Sequence, residues 1–554
     1  MTDCPRIAPL RAGALSAPGL LLLLASAACG GGGGYSSSPP PPPPPPPGNS
    51  HTDVVTYKND LARTGQNLTE SVLTLANVKS ATFGKLRFLA TDGLVDAQPL
   101  YLSALMVGGS AHNVVFVATE NDTVYAFDSD SGTALWQKSL LGAGEMPSDQ
   151  RSCDQVAPTI GITSTPVIDR SGGAHGVIYV VAMSIDASQH YHQRLHALDV
   201  TTGAEQFNGP MEIAAIYPAS GGGSNTFVPG DYEERAGLLL LNGVIYTAWT
   251  SHCDISPYTG WVIAYNSSTL AQTAVLNVAA SNAGGGPAIW MAGGGPAADS
   301  SGNIYLLTAN GAFDTMLDVN GFPNMGDYGN SFLKIATAGG TLKVADYFAM
   351  YNEVSESNSD TDLGSGGAML LPDVMDSGGT TRHLVVGAGK DGNLYVVNRD
   401  SMGKFIPNAN NNNQIWQELS GALPGGIWST PAWFNGSVYY GPVGYPLLAF
   451  KVTNAMLGTS PSSQTALSFP YPGTAAAISA NGNANGIVWA HENSGTAVLH
   501  AYDAGNLATE LYNSTQAAGG RDSFGNGNKF ITPTIADGKV FVGTTNGVAV
   551  FGLL

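Results

Sequence analysis

An eight-bladed β-propeller is the fold this sequence predicts, and three observations carry the prediction. One pattern recurs eight times after Val95: a small-residue or Pro-led apolar strand, a Gly or Asp turn, a Val/Ile/Tyr strand, a second turn, and a strand reading Ala-x-Asp or similar. The openings are Ala97-Gln98-Pro99-Leu100, Ser164-Thr165-Pro166-Val167, Leu238 to Asn242, Gly295-Pro296-Ala297, Gly367-Ala368-Met369-Leu370, Ser429-Thr430-Pro431-Ala432, Ala475-Ala476-Ala477-Ile478 and Ile531-Thr532-Pro533-Thr534. Repetition at this spacing signals an array of β units. The last unit, from Thr534 to Leu554, stops after its third strand. The segment Phe83-Gly84-Lys85-Leu86-Arg87-Phe88-Leu89 precedes the first unit and belongs to no other. If it supplies the missing outer strand, the ring closes and only short, protected edges remain.

At the start of the chain, residues 1–29 have the make-up of an export signal. Arg6 and Arg11 lead, a short apolar core surrounds 20–24, and Ala25-Ser26-Ala27-Ala28 precede Cys29. That core is too short to span a bilayer. Two readings of Cys29 stand here, an incidental residue after the cleavage point or the lipidated residue of a bacterial lipoprotein signal. The second agrees with the next segment, because residues 30–55 read as a tether to a periplasmic or outer-membrane surface. They run from Gly30–Gly34 into nine consecutive prolines, Pro39–Pro47, a stiff polyproline II spacer. The propeller is assigned to 56–554.

Composition excludes one class of partner. Lys and Arg number 22 against 41 Asp and Glu, a net charge of −19, so no phosphate-neutralising face for nucleic acid is expected. With 71 Gly and only 11% charged residues, the chain suits short strands and tight turns. Of four cysteines, Cys153 and Cys253 lie beyond the signal. In an exported chain they form either a bridge or two separate buried thiols.

The repeat endings are readable chemically. Ala126-Phe127-Asp128-Ser129-Asp130-Ser131-Gly132-Thr133-Ala134-Leu135-Trp136 is the cleanest. Ala197-Leu198-Asp199-Val200-Thr201-Thr202-Gly203 repeats it with Phe207 in the aromatic place, and Val397 to Lys404 is a looser copy with Trp416 further on. Asp caps a turn, Gly supplies positive φ, and the aromatic packs across the blade boundary. This repeat resembles the tryptophan-docking repeat of the pyrroloquinoline quinone (PQQ) propeller superfamily, over roughly 83–554. That superfamily includes quinoprotein alcohol dehydrogenases and non-catalytic relatives in outer-membrane assembly.

The resemblance implies a site. Ile289-Trp290-Met291, then Thr308-Ala309-Asn310-Gly311, is similar to the family's cofactor floor and calcium-binding turn, which places those roles on Trp290 and Asn310. Asn358-Ser359-Asp360-Thr361-Asp362 is similar to the segment whose last Asp is the catalytic base, here Asp362. The family's Trp at that segment is Thr361 here. Gly389-Lys390-Asp391-Gly392 resembles the segment bearing the cation near the quinone oxygens, Lys390. Asp254, before Gly260-Trp261-Val262, is the nearest counterpart of a calcium-binding Glu, and Asp96 sits where the family has an acid near the cofactor edge. The family's adjacent cysteines fall at Ser152-Cys153, which leaves Cys153 alone against the cofactor. The Arg that comes after them in the family has no counterpart among Pro158, Thr159 and Ile160.

Other motifs carry less. His190, His192 and His196 match no zinc spacing. No Cys-x-x-Cys-His occurs, so no covalent haem is expected. Two functions therefore stand at this level. One is an exported, lipid-anchored alcohol dehydrogenase that uses PQQ and calcium and passes electrons to a separate cytochrome or quinone. The other is a non-catalytic surface propeller that binds a protein or glycan.

Overall fold

In the computed structural model, residues 53–281 and 285–554 are described. The export signal, Cys29 and the proline run lie outside them. Among the described residues, eight antiparallel sheets succeed one another around a ring, and the structure is 4% helical. Their inner strands begin at or beside the eight openings read from the sequence: Leu100–Val107, Val167–Asp169, Leu239–Leu241, Ala297–Ala298, Met369–Leu370, Ala432–Phe434, Ala477–Asn481 and Thr534–Ala536. They define blades 1 to 8. No helix among the described residues is long and apolar enough to cross a membrane.

The ring closes as expected. Phe83–Ala90 pairs antiparallel with Gly547–Leu553, Phe83 opposite Leu553 and Leu89 opposite Val548, and so becomes the outer strand of blade 8. Phe83 is fully buried among Trp489, Tyr512 and Phe551, at ring separations of 5.4, 5.0 and 6.3 Å.

Blade boundaries use the docking residues. Trp136 of blade 1 donates its indole N–H to Val200 O of blade 2 at 2.9 Å. Its ring lies so close over Gly203 that a Cβ there would stand 2.7 Å from it, and Gly203 has φ +68°. Trp416 repeats the bond to Ala455 O at 2.7 Å. At the closure, Arg87 takes the aromatic's place: it donates to Ser129 O at 2.7 Å and covers Gly132.

One element was not foreseen. Residues 53–70, the first three of them read from the sequence as the end of the tether, form a hub. They circle the inside of the ring and visit the blades in order. Each opening centres on one residue: Pro99, Pro166, Leu238, Pro296, Ala368, Pro431, Ala476 and Pro533. In six blades the N–H two residues past it donates to a carbonyl of this segment. Tyr101, Ile168, Ala298, Leu370, Trp433 and Ile478 bond to Val54, Val55, Leu61, Ala62, Thr64 and Gly65 at 2.7–2.9 Å. In blade 8 the Asn67 amide reaches Ile535 O at 2.9 Å. The propeller therefore begins at or before Asp53, three residues earlier than the assigned boundary.

Two cations anchor this hub. Lys58 is completely buried, and its ammonium donates to Thr430 O, Pro431 O and Ala476 O at 2.7, 2.8 and 2.8 Å. Three donors meet three acceptors, which satisfies an ammonium without a carboxylate. Arg63, also completely buried, donates to Pro296 O, Thr56 Oγ1 and Tyr57 O.

Two substitutions probe this architecture. Lys58→Met keeps the volume and leaves three buried carbonyls unpaired, so denaturant melts should show a loss of roughly 3 kcal/mol or more. Phe83→Ala opens a cavity at the closure and should lower stability by about 3–5 kcal/mol. Wild-type stability in either variant would remove the hub or the closing strand from its assigned role.

Candidate functional site

A cavity of about 260 Å³ opens where the loops entering the inner strands meet the loops joining second and third strands. Asp254, Trp290, Asn310, Asp362 and Lys390, taken from blades 3 to 5, all line it. Asp96 and Cys153 do not. Asp96 is buried, accepts from the Asn528 amide at 3.1 Å and feels the Arg235 charge. Cys153 is bonded to Cys253 with Cα atoms 5.7 Å apart, which ties the loop entering blade 2 to the loop that carries Asp254.

Local geometry assembles the acid–lysine group. Gly389 passes so close to the chain before blade 5 that a Cβ there would stand 2.2 Å from Asp362 O. Only glycine allows this approach, and it lets Lys390 N donate to that same carbonyl at 2.8 Å. The Lys390 ammonium then lies 2.6 Å from Asp362 Oδ2 and 3.1 Å from Asp360 Oδ2. Asn310 N donates to Asp362 Oδ1 at 2.8 Å, and its amide donates to Asp360 Oδ1 at 3.0 Å. Asn330, in the Gly-Asn-Ser stretch, accepts from Leu363 N at 2.9 Å and fixes the loop from behind. Burial raises the Asp362 carboxyl above its ordinary range, and Lys390 pulls against that rise. The result is a nearly buried base whose proton affinity is held in check by one ammonium.

Asp254 accepts from Ser251 Oγ at 2.7 Å. Burial first, and then the Asp254 charge, push the nearby Tyr258 hydroxyl up. Among the described residues, no three His, Cys, Asp or Glu side chains stand together as a metal-binding group. Asp254 and Asn310 bring side-chain oxygens to the cavity wall.

Sequence reasoning missed seven of the lining residues: Gln155, Arg235, Ala292, Ser365, Trp428, Tyr471 and Phe530. A signal for four of them was present. Arg235, Ser365, Trp428 and Phe530 each lie three residues before the central residue of a blade's opening, as do Asp96, Thr163, Gly293 and Gly473. This repeat position forms a collar around the channel. The hub lies directly beneath it, because Tyr57 shares a small void with Ala292, Trp428 and Phe530. Trp428 and Tyr471 meet edge to face at 5.7 Å, and Tyr471 donates to Gln155 Oε1 at 3.2 Å. Arg235 lies over the rings of Trp290, at 5.4 Å, and Phe530, at 4.5 Å.

The ring has the fold of quinoprotein dehydrogenases. It is similar to the quinohemoprotein alcohol dehydrogenase of Comamonas testosteroni, at 15% identity and TM-score 0.57 over 90% of this chain and 80% of that one. A quinohemoprotein alcohol dehydrogenase of Pseudomonas putida HK5 matches at 14% identity and TM-score 0.54, over 91% and 80%. A europium-containing methanol dehydrogenase matches at 14% identity and TM-score 0.59, over 91% and 98%. No protein-family model and no curated protein matches the sequence.

The Cys153–Cys253 bond closes a loop of 100 residues across two blades. Titration of the unfolded, non-reduced protein should find neither thiol free. Replacing both residues by Ser should lower stability by about 2–4 kcal/mol. Two reactive thiols in that titration would remove the bridge.

Proposed function

We propose that this chain is an exported, lipid-anchored alcohol dehydrogenase of the PQQ type. The observation that carries the reading is the meeting of Asp254, Trp290, Asn310, Asp362 and Lys390 in one cavity of an eight-bladed ring. They are five of the seven residues that the family resemblance singled out from separate stretches of sequence, Asp96 and Cys153 being the two outside the cavity.

The cavity suits a flat, anionic quinone. Trp290, Trp428, Tyr471 and Phe530 offer aromatic surface, and Arg235 and Lys390 offer positive charge. PQQ, when bound, would supply the two-electron acceptor for the alcohol carbon. Asp362 would take the hydroxyl proton, and its burial makes it a better proton acceptor than a surface carboxylate. Lys390 would keep Asp362 ionised and offer an ammonium to negative charge developing beside it. Calcium is part of the proposal through Asp254 and Asn310. Since no three acids stand together among the described residues, the rest of its shell would come from other oxygens than clustered acids. A separate cytochrome or quinone would take the electrons, and Cys29 would hold the protein to the membrane.

Dye-coupled alcohol oxidation with added PQQ and Ca²⁺ tests the reading. Wild type should turn over, and Asp362→Asn should lose roughly a hundredfold or more while it folds normally. Activity that survives the substitution would remove Asp362 as the base. No quinone retained by wild type would leave the reading of a surface propeller that binds a protein or glycan.

A further inference from the structure

Arg235 is a buried cation that donates no hydrogen bond among the described residues. It is only 3% exposed, yet no hydrogen bond within the described chain reaches any of its five N–H donors. Its sole ion pair there is Glu233 Oε1, at a long 3.8 Å from Nε. Glu233 is a weak counter-charge, because burial pushes its carboxyl up to about 7. The acids beyond it, Asp96 and Glu120, are also raised by burial. A buried Nε–H without an acceptor costs stability that the protein alone does not recover. Its rings do not supply the deficit, since Trp290 and Phe530 hold the plane of the guanidinium but accept no strong hydrogen bond. Arg235 does, however, line the cavity.

We infer that Arg235 is the anion anchor of the cavity and that it takes a carboxylate of a flat, carboxylate-bearing ligand. Planar forks of donors match carboxylates two bonds at a time. The arrangement also orients the ligand. Its carboxylate goes to Arg235 on the blade 3 side, and its other end faces Asp362 and Lys390 of blade 5. A carboxylate at the blade 5 side would meet Asp360 and Asp362, which already share the Lys390 ammonium. This inference rests on the proposed cofactor reading and narrows it. The dehydrogenase pattern puts its arginine in the stretch filled here by Pro158, Thr159 and Ile160, whereas this chain supplies its cation from another blade.

Fluorescence titration tests it, since Trp290 and Trp428 line the cavity. The full chain, Arg235→Met and Arg235→Lys are titrated with PQQ and with terephthalate, a flat dicarboxylate that is not a quinone. The dimethyl ester of terephthalate is the uncharged control. Wild type should bind both acids and not the ester. Arg235→Met should bind them roughly tenfold to a hundredfold more weakly, and Arg235→Lys should fall between. Without ligand, Arg235→Met should melt no lower than wild type, because it removes a buried charge that lacks partners. Binding of terephthalate through Arg235 with no binding of PQQ would sustain the anchor and sink the quinone reading. Equal affinity of wild type and Arg235→Met for PQQ would sink the anchor and leave the quinone reading. A marked drop in the ligand-free melting temperature of both variants would make Arg235 structural, and failure of wild type to bind either acid would also overturn the inference.

Discussion

Each blade's inner strand has one edge turned to the channel, where no neighbouring strand covers its backbone groups. Buried N–H and C=O groups must find partners, so the centre of the ring needs something with a peptide backbone in it. Residues 53–70 meet that need by running once around the inside and accepting a bond at the same repeat position from blade after blade. Only a segment that tracks the ring's own curvature can do this. The two buried cations serve the same constraint from the other side. Carbonyls left over at blades 4, 6 and 7 converge on Arg63 and Lys58. The channel is closed at this level as a consequence.

Closure of the channel makes the cavity a site. The collar three residues before each opening's centre sits just above the hub, so its side chains point at a floor instead of an open pore. A repeat puts equivalent positions at equal height, and variation at one position then writes the chemistry. At the collar this chain places an acid in blade 1, a cation in blade 3, a hydroxyl in blade 5 and aromatics in blades 6 and 8. Glycines in blades 4 and 7 leave room beside them. The upper tier comes from the loops between second and third strands, which bring Asp254, Asn310 and Lys390.

Much of this was legible from residues. Strand openings and turn glycines are local signals, and they located all eight inner strands and the closing strand. Asp254, Asn310 and Lys390 were found because the resemblance to the quinoprotein dehydrogenases places roles on the short segments that carry them. Arg235, Trp428 and Phe530 were not, since each looks like an ordinary residue before an apolar strand. Their common offset from the openings is visible only after the repeat has been aligned to itself. The hub was illegible for a different reason. The sequence of residues 53–70 has no strand alternation, and its bonds to the blades reach residues 40 to 468 positions away. Nothing in the sequence marks Lys58 or Arg63, because burial of a lysine by three backbone carbonyls leaves no local signature.

Charge distribution ties the hub, the collar and the loops together. At the centre, Lys58 and Arg63 are each held by oxygen atoms of the surrounding blades and of the hub itself. At the blade 5 side of the cavity, Lys390 is shared between two carboxylates. Arg235 is deeply buried, has one long ion pair, to Glu233, and donates no hydrogen bond within the described chain. Arg63 and Arg399 each leave one nitrogen unpaired as well, but Arg63 donates to several oxygens and Arg399 has two ion pairs, so the guanidinium of Arg235 stands apart. It marks the place where the scaffold is incomplete without something flat and negative. The disulfide between Cys153 and Cys253 spans the neighbouring loops and limits how far that wall can relax to satisfy Arg235 internally. The unpaired state is thereby kept available, which is what preorganised recognition of an anion requires.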